Sequence, residues 1–217
     1  MRRKRHWQSQ WHPFTLNTNV STPTERPTIS GASRRVPLSR YLFFAAPAVV
    51  GLVTDLATKT WLFASPQLRA GEIHWLWRGH VGIQLAWNEG ALFGIGQGRV
   101  WLFALMSVLA AIAIPVWLFV IGAARDAWLT FALGCVTAGV LGNLYDRLGL
   151  HGENWPPPSP QAGQPIHAVR DWILWQLNDH WRWPNFNIAD SMLVVGAAII
   201  FFHAMFQSNV AKRQASD

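Results

Sequence analysis

Two carboxylates, Asp171 in "AVRDWILW" and Asp190 in "NFNIADS", stand nineteen residues apart in a chain of 217. Each has apolar company: Asp171 lies among Val169, Trp172, Ile173 and Leu174, and Asp190 sits at the mouth of the run MLVVGAAIIFFHAMF. If a fold brings them into contact, they cannot both ionise easily; they share a proton and offer a base and an acid at once. Such a pair can deprotonate water attacking a peptide carbonyl while protonating the oxygen or the leaving nitrogen. The spacing alone does not show that they meet. Taken singly, Asp190 reads as a helix cap, since an acid near a helix N-terminus is favoured by about 0.3–1 kcal/mol.

Other ionisable groups are embedded in apolar sequence, where each costs at least about 2.5–3.5 kcal/mol at membrane depth and is usually kept for a reason. In "TDLATK", Asp55 and Lys59 are four residues apart on one helical face with the acid first, the favourable order. They can neutralise each other, with Lys59 reaching outward, or orient a site. In "LGNLYDRLG", Asn143, Asp146 and Arg147 put an amide, an acid and a guanidinium within about one helical turn. Arg147 can donate two parallel hydrogen bonds to a carboxylate, or Asp146 and Arg147 can form a solvated helix end. "WNEGALFGIGQGR" offers Asn88 as a neutral hydrogen-bonding group and Phe93 as an apolar contact. Its glycines suggest a phosphate cradle, but no Lys-Ser/Thr pair closes a nucleotide-binding loop.

The elements that must hold these groups are apolar helices. Stretches at 41–64, 100–124, 127–145 and 191–210 each approach the ~20 residues needed to cross ~30 Å of hydrocarbon. Four crossings put both termini on one side. Arg34, Arg35 and Arg40, Arg125, and Lys212 with Arg213 all fall there, which marks it as cytoplasmic. The connections 65–99 and 146–190 are then outside. Ten of the fourteen tryptophans lie on or beside that outer side, where an interfacial residue belongs. Gly134, Gly139 and Gly142 permit close helix packing within the third stretch.

Composition excludes several classes. The net charge of +7 resides in residues 1–40, which hold eight Lys or Arg and one Glu; the remainder balances at ten against ten. A nucleic-acid reader needs a basic stripe on a folded surface, and only a basic arm is present. That arm, rich in Ser, Thr, Pro and Arg, reads as a disordered cytoplasmic tail. Cys135 is the single cysteine, so an intrachain disulfide is excluded. His80, His151, His167 and His180 are scattered singly, without the close pairs that zinc requires, and no metal or other cofactor is expected.

Five blocks, "TDLATK", "NEGALFG", "GVLGNLYDR", "VRDWI" and "FNIADS", in this order and on these spans, resemble lipoprotein signal peptidase, the type II signal peptidase family of bacteria. The resemblance covers residues 41–210, between the basic tail of 1–40 and a short C-terminal tail of 211–217. It implies an all-α membrane protein: four transmembrane helices with a small extracytoplasmic β-cradle and an extended outer loop. It further implies a monomeric aspartyl endopeptidase of the bacterial inner membrane, both termini cytoplasmic and active site outside. Its substrates are diacylglyceryl-modified prolipoproteins drawn from membrane lipid and cut just before the lipidated cysteine. By motif, the catalytic acids are Asp171 and Asp190, with Asp146 the rival for the first. The supporting residues are Asp55, Lys59, Asn88, Asn143, Asp146, Arg147 and Asn187, with Gly90 and Phe93 lining the cradle. The alternatives of another class are a small transporter and a non-enzymatic assembly protein.

Two features depart from the family pattern or complicate it. The connection "LGLHGENWPPPSPQAGQPIHAVR" is longer than the family usually has, and its three consecutive prolines suggest a stiff, polyproline-like flap. Arg170 stands beside Asp171 and is expected to face solvent or lipid headgroups.

Overall fold

The computed structural model describes residues 36–90, 96, 98–178 and 180–214. Most of the expected tail, and Phe93, lie outside the described residues. Four helices are long and apolar enough to cross a membrane: α1 (Leu38–Phe63), α3 (Val100–Pro115, prolonged by a π-helical turn to Val120), α4 (Ala127–Arg147) and α5 (Ile188–Gln214, apolar to Gln207). A single-turn helix, α2 (Pro66–Arg69), follows α1. The chain spends two further stretches on strands: β1 (His74–Trp77) and β2 (Val81–Asn88) after α2, and β3 (Val169–Asn178) and β4 (Trp181–Phe186) before α5. They form one antiparallel sheet in the order β1-β2-β3-β4.

Helix α4 is the hub. It is mostly buried against α1, α3 and α5, whereas those three turn much of their apolar surface outward. Its glycines explain how the backbones come so close. A Cβ on Gly134 would stand 2.5 Å from Phe44 O and 2.7 Å from Pro47 Cγ of α1. One on Gly139 would strike the Ala189 carbonyl of α5. One on Gly142 would stand 2.5 Å from Asp55 Oδ2, so here the packing and the buried charges compete for one space. Thr130 and Thr137 return their hydroxyls to the carbonyls of Asp126 and Leu133, four residues back, so neither polar group is left bare among apolar neighbours.

Two helix ends differ from the hydropathy reading. Helix α5 begins at Ile188 and not at 191, because Asn187 and Asp190 cap it reciprocally. Asn187 Oδ1 accepts the Asp190 N–H at 2.9 Å, and Asp190 Oδ2 accepts the Asn187 N–H at 3.2 Å. Helix α4 runs on through Arg147, which places Asp146 and Arg147 in its last turn, where both are buried. They are not a solvated helix end.

The long connection 148–168 is also not an extended flap. Its legs are zipped together: the Trp155 N–H donates to Gln164 O at 3.0 Å, Gly163 N–H to Trp155 O at 2.9 Å and Ile166 N–H to Glu153 O at 2.9 Å. Asn154 and Pro165 face each other as an isolated bridge. Pro156, Pro157, Pro158 and Pro160 fall in a turn-rich, exposed tip, because closing a loop with backbone hydrogen bonds requires the chain to reverse there.

Candidate functional site

Where α1, α4, α5 and β3 converge, four carboxylates and three cations are buried: Asp55, Asp146, Asp171 and Asp190 against Lys59, Arg147 and Arg170. Burying one such charge without a partner costs several kcal/mol, so the way they pair decides what each can do.

One set is fully neutralised. Lys59 Nζ stands 2.7 Å from Asp55 Oδ2, 3.0 Å from Asp146 Oδ2 and 3.1 Å from Asn143 Oδ1, which uses all three ammonium donors. Lys59 therefore does not reach outward; its four-carbon stem and charge are both enclosed. Asp146 is held from a second side by Arg170, through Nε at 3.0 Å, a terminal guanidinium nitrogen at 2.8 Å and the backbone N–H at 3.0 Å. Arg170 thus points inward to Asp146 and is buried, contrary to the expectation that it faces solvent or headgroups. The reason is the strand period: successive side chains leave opposite faces, so Arg170 and Asp171 diverge. Asp55 uses its other oxygen to accept the Ala189 N–H at 2.9 Å, tying α1 to the first turn of α5.

The other two acids meet only neutral donors. Asp171 Oδ1 accepts from Asn187 Nδ2 at 2.6 Å and Oδ2 from Asn88 Nδ2 at 3.0 Å. Asp190 Oδ1 accepts from Asn143 Nδ2 at 2.8 Å, while its Oδ2 serves the α5 cap. Asn187 connects the two, since the same side chain caps Asp190, donates to Asp171 and donates to Asn143 Oδ1 at 3.1 Å. The strands set the first acid: Ala86 pairs with Asp171 and Asn88 with Val169, so β2 delivers the Asn88 amide to the Asp171 carboxylate. Burial, and next to it the charge of Asp190, push the Asp171 carboxyl up to about 7; the amides of Asn88 and Asn187 and the Lys59 ammonium oppose this.

That displacement predicts a pH dependence of stability. The ordinary value is 3.8, so between about pH 3.8 and 7 the folded chain retains a proton that the unfolded chain has lost. The stabilisation is complete below that window and is lost as pH rises through it. Thermal unfolding in detergent from pH 4 to 8 should show this loss in the wild type and a smaller one in Asp171→Asn, where the buried Asp190 carboxyl remains. Parallel pH curves for the two proteins would contradict it.

Arg147 completes the site. One of its terminal nitrogens donates to Gly90 O at 2.9 Å, and its guanidinium lies 5.6 Å from the Phe103 ring centre. Gly90 returns its N–H to Asn88 Oδ1 at 2.9 Å, so Arg147, Gly90 and Asn88 form a chain that ends on Asp171. Beside Asp190, Asn143 and Arg147 opens a groove of about 310 Å³ between α3, α4 and α5, walled by Met106, Ala110, Gly139 and Leu193. Of the residues singled out by sequence, Asp55, Lys59, Asn88, Gly90, Asn143, Asp146, Arg147, Asp171, Asn187 and Asp190 belong to this one connected network. Arg170 also joins the network, through Asp146, and the residue pattern of "VRDWI" carries no signal of it.

Comparison with known proteins agrees with this architecture. The sequence profile of the family described as signal peptidase (SPase) II matches residues 47–206. The lipoprotein signal peptidase of Rhodopirellula baltica is 47% identical over 186 residues, 85% of this chain and 81% of that protein. That of Pseudomonas syringae pv. tomato is 38% identical over 138 residues, 61% of this chain and 69% of that protein. Two solved bacterial membrane enzymes share the fold at 24% identity. One has a TM-score of 0.61 over 78% of this chain and 89% of its own, the other 0.56 over 76% and 92%. With four membrane-crossing helices, an antiparallel sheet across their ends and a profile match over most of its length, the chain belongs to the signal peptidase II family.

Proposed function

We propose that this peptidase is an aspartyl endopeptidase that removes the signal peptide from diacylglyceryl-modified prolipoproteins, cutting before the lipidated cysteine, with Asp171 and Asp190 as its catalytic acids. The observation that carries the assignment is the division among the buried acids. Asp55 and Asp146 are matched by cations, whereas Asp171 and Asp190 are held by neutral amides and linked through Asn187. Four buried acids against three buried cations leave one excess negative charge, which a single proton on the pair removes.

In this reading the ionised member of the pair takes a proton from water as the water oxygen bonds to the scissile carbonyl carbon. The protonated member gives its proton to the carbonyl oxygen, forming a neutral diol. Transfer of a proton to the amide nitrogen breaks the C–N bond. The products are the signal peptide with a new carboxylate and the lipidated cysteine with a free amine. Asn143 and Asn187 keep both carboxylates in register, and Arg147 holds the Gly90 carbonyl. The apolar groove beside Asp190 suits a substrate that arrives sideways from the bilayer. Arg40, Arg125 and Lys212 with Arg213 flank the other ends of the helices, which supports a site at the outer face with both termini in the cytoplasm.

A transporter reading would require ionisable groups along the whole bundle. Among the described residues the buried charges lie together at the sheet end of the helices, which disfavours it. The substrate half is tested with one purified precursor in lipidated and non-lipidated form. Cleavage of the lipidated form alone is expected, and equal cleavage of both would exclude lipid recognition.

A further inference from the structure

Two rings of the connection 148–168 meet on one residue of the sheet, Trp87. The His151 ring centre lies 5.6 Å from that of Trp87 and the Trp155 ring 6.1 Å, while Phe63, the last residue of α1, packs on the same indole at 5.0 Å. Trp87 stands between Ala86, which pairs with Asp171, and Asn88, which donates to its carboxylate. Whatever fixes the indole fixes the backbone on both sides of it.

Two further anchors hold the same segment. Glu153 pairs with Arg69 of α2 at 2.6 Å. His167 Nδ1 lies 3.2 Å from Arg147 O, at the end of α4, and its ring lies 5.1 Å from Trp101 in the first turn of α3. Glu153 also closes the loop on itself, its N–H donating to His151 Nδ1 at 3.0 Å and its carbonyl accepting from Ile166. The Arg69–Glu153 pair is partly exposed and contributes little by itself. Tilted ring contacts at these separations hold more, and they keep one geometry because an indole has few torsions.

We infer that the connection 148–168 is a strap whose His151 and Trp155 rings clamp Trp87 and thereby position Asn88 against Asp171. His151, Trp155 and Trp87 are positioning residues: none touches a reacting atom, and each acts through the β2 backbone. This rests on the dyad assigned above, and it adds that a segment lying outside the catalytic motifs governs how well that dyad is aligned. Small displacements of catalytic groups cost rate more than they cost substrate binding, so the effect belongs in kcat. The apolar groove that would receive the substrate is built from α3, α4 and α5, and neither His151 nor Trp155 lines it.

The test uses the full-length protein in detergent with Trp155→Ala, the conservative Trp155→Phe, and Gln161→Ala at the exposed tip as a control. Hydrogen exchange of peptides covering β2 and β3 is followed first, because it needs no activity. Trp155→Ala should accelerate exchange around residues 86–88 and 169–171 by ~10-fold, with the α4 and α5 peptides unchanged. Trp155→Phe should restore slow exchange, and Gln161→Ala should match the wild type. In cleavage of a lipidated precursor, kcat should fall ~10-fold in Trp155→Ala with KM changed less than ~2-fold. Unchanged exchange in the ladder, or faster exchange throughout the molecule, would overturn the strap. Absence of cleavage by the wild type would instead count against the proposed reaction while leaving the exchange result to decide on the strap.

Discussion

Asp171→Asn and Asp190→Asn each eliminate cleavage of a lipidated prolipoprotein, lowering kcat by at least about 10³-fold, because general acid–base catalysis is worth roughly 10²–10⁴ and here each acid is needed in both of its protonation states. An amide can neither take the proton from water nor return it to nitrogen. The replacement is nearly isosteric, so both variants should fold, which a thermal melt in detergent would verify alongside a gel-shift assay of the precursor. Asp146→Asn is the discriminating control. Its side chain is enclosed by Lys59 and Arg170, with no cation-free oxygen to present to a water molecule. It should keep measurable activity in proportion to the protein that remains folded. Loss of activity in well-folded Asp146→Asn, with activity retained in Asp171→Asn, would transfer the first acid to Asp146 and leave the peptidase intact.

The second large effect concerns stability. Lys59→Met is close to the same length and removes only the charge and three N–H donors, all of which are in use. It leaves Asp55 without its cation, Asp146 with Arg170 alone, and Asn143 Oδ1 short of a donor. Breaking a buried pair by removing one partner costs about 3–5 kcal/mol. At roughly 2–4 °C per kcal/mol for a chain of this size, the melting temperature should fall by roughly 6–20 °C. Adding Asp55→Asn to Lys59→Met should recover part of that loss, since one stranded carboxylate then disappears. A Lys59→Met protein that melts with the wild type would mean that the ammonium contributes nothing net, and the electrostatic account of the network would be wrong.

These two expectations depend on different kinds of information. The four helices could be read directly from the chain, because a membrane span requires about 20 apolar residues whatever surrounds it. Their polar ends were harder. Hydropathy could not see that Asn187 and Asp190 already belong to α5, since a capping box is polar by nature. The Asp55–Lys59 pair was legible as an i,i+4 spacing, but not its third and fourth members. Asp146 and Asn143 arrive from α4, more than eighty residues later. The sheet was legible only through family resemblance. Its strands are short, rich in Trp and interrupted by irregular registers, and β2 meets β3 across a sequence gap that contains two whole spans. Arg170 was not legible in this way: apolar and polar residues do not alternate in "VRDWI", Val169, Arg170 and Asp171 are all buried, and the partner that fixes the guanidinium, Asp146, arrives from α4. The proline-rich connection was judged by its prolines, whereas its conformation is set by the backbone hydrogen bonds on either side of them.

The capping of α5 by residues of the site has a consequence for the order of events during synthesis. The chain delivers Lys59 with Asp55 first, Asn88 second, Asn143 with Asp146 third, Asp171 fourth, and Asn187 with Asp190 last. Until the fifth group has left the ribosome and the final span has entered the bilayer, Asp55 lacks the Ala189 N–H and Asp171 lacks Asn187. The nascent enzyme can therefore hold its ion-paired foundation in place while remaining chemically inert. On the proposed dyad, proteolytic competence waits for Asp190, the last of these groups to be made.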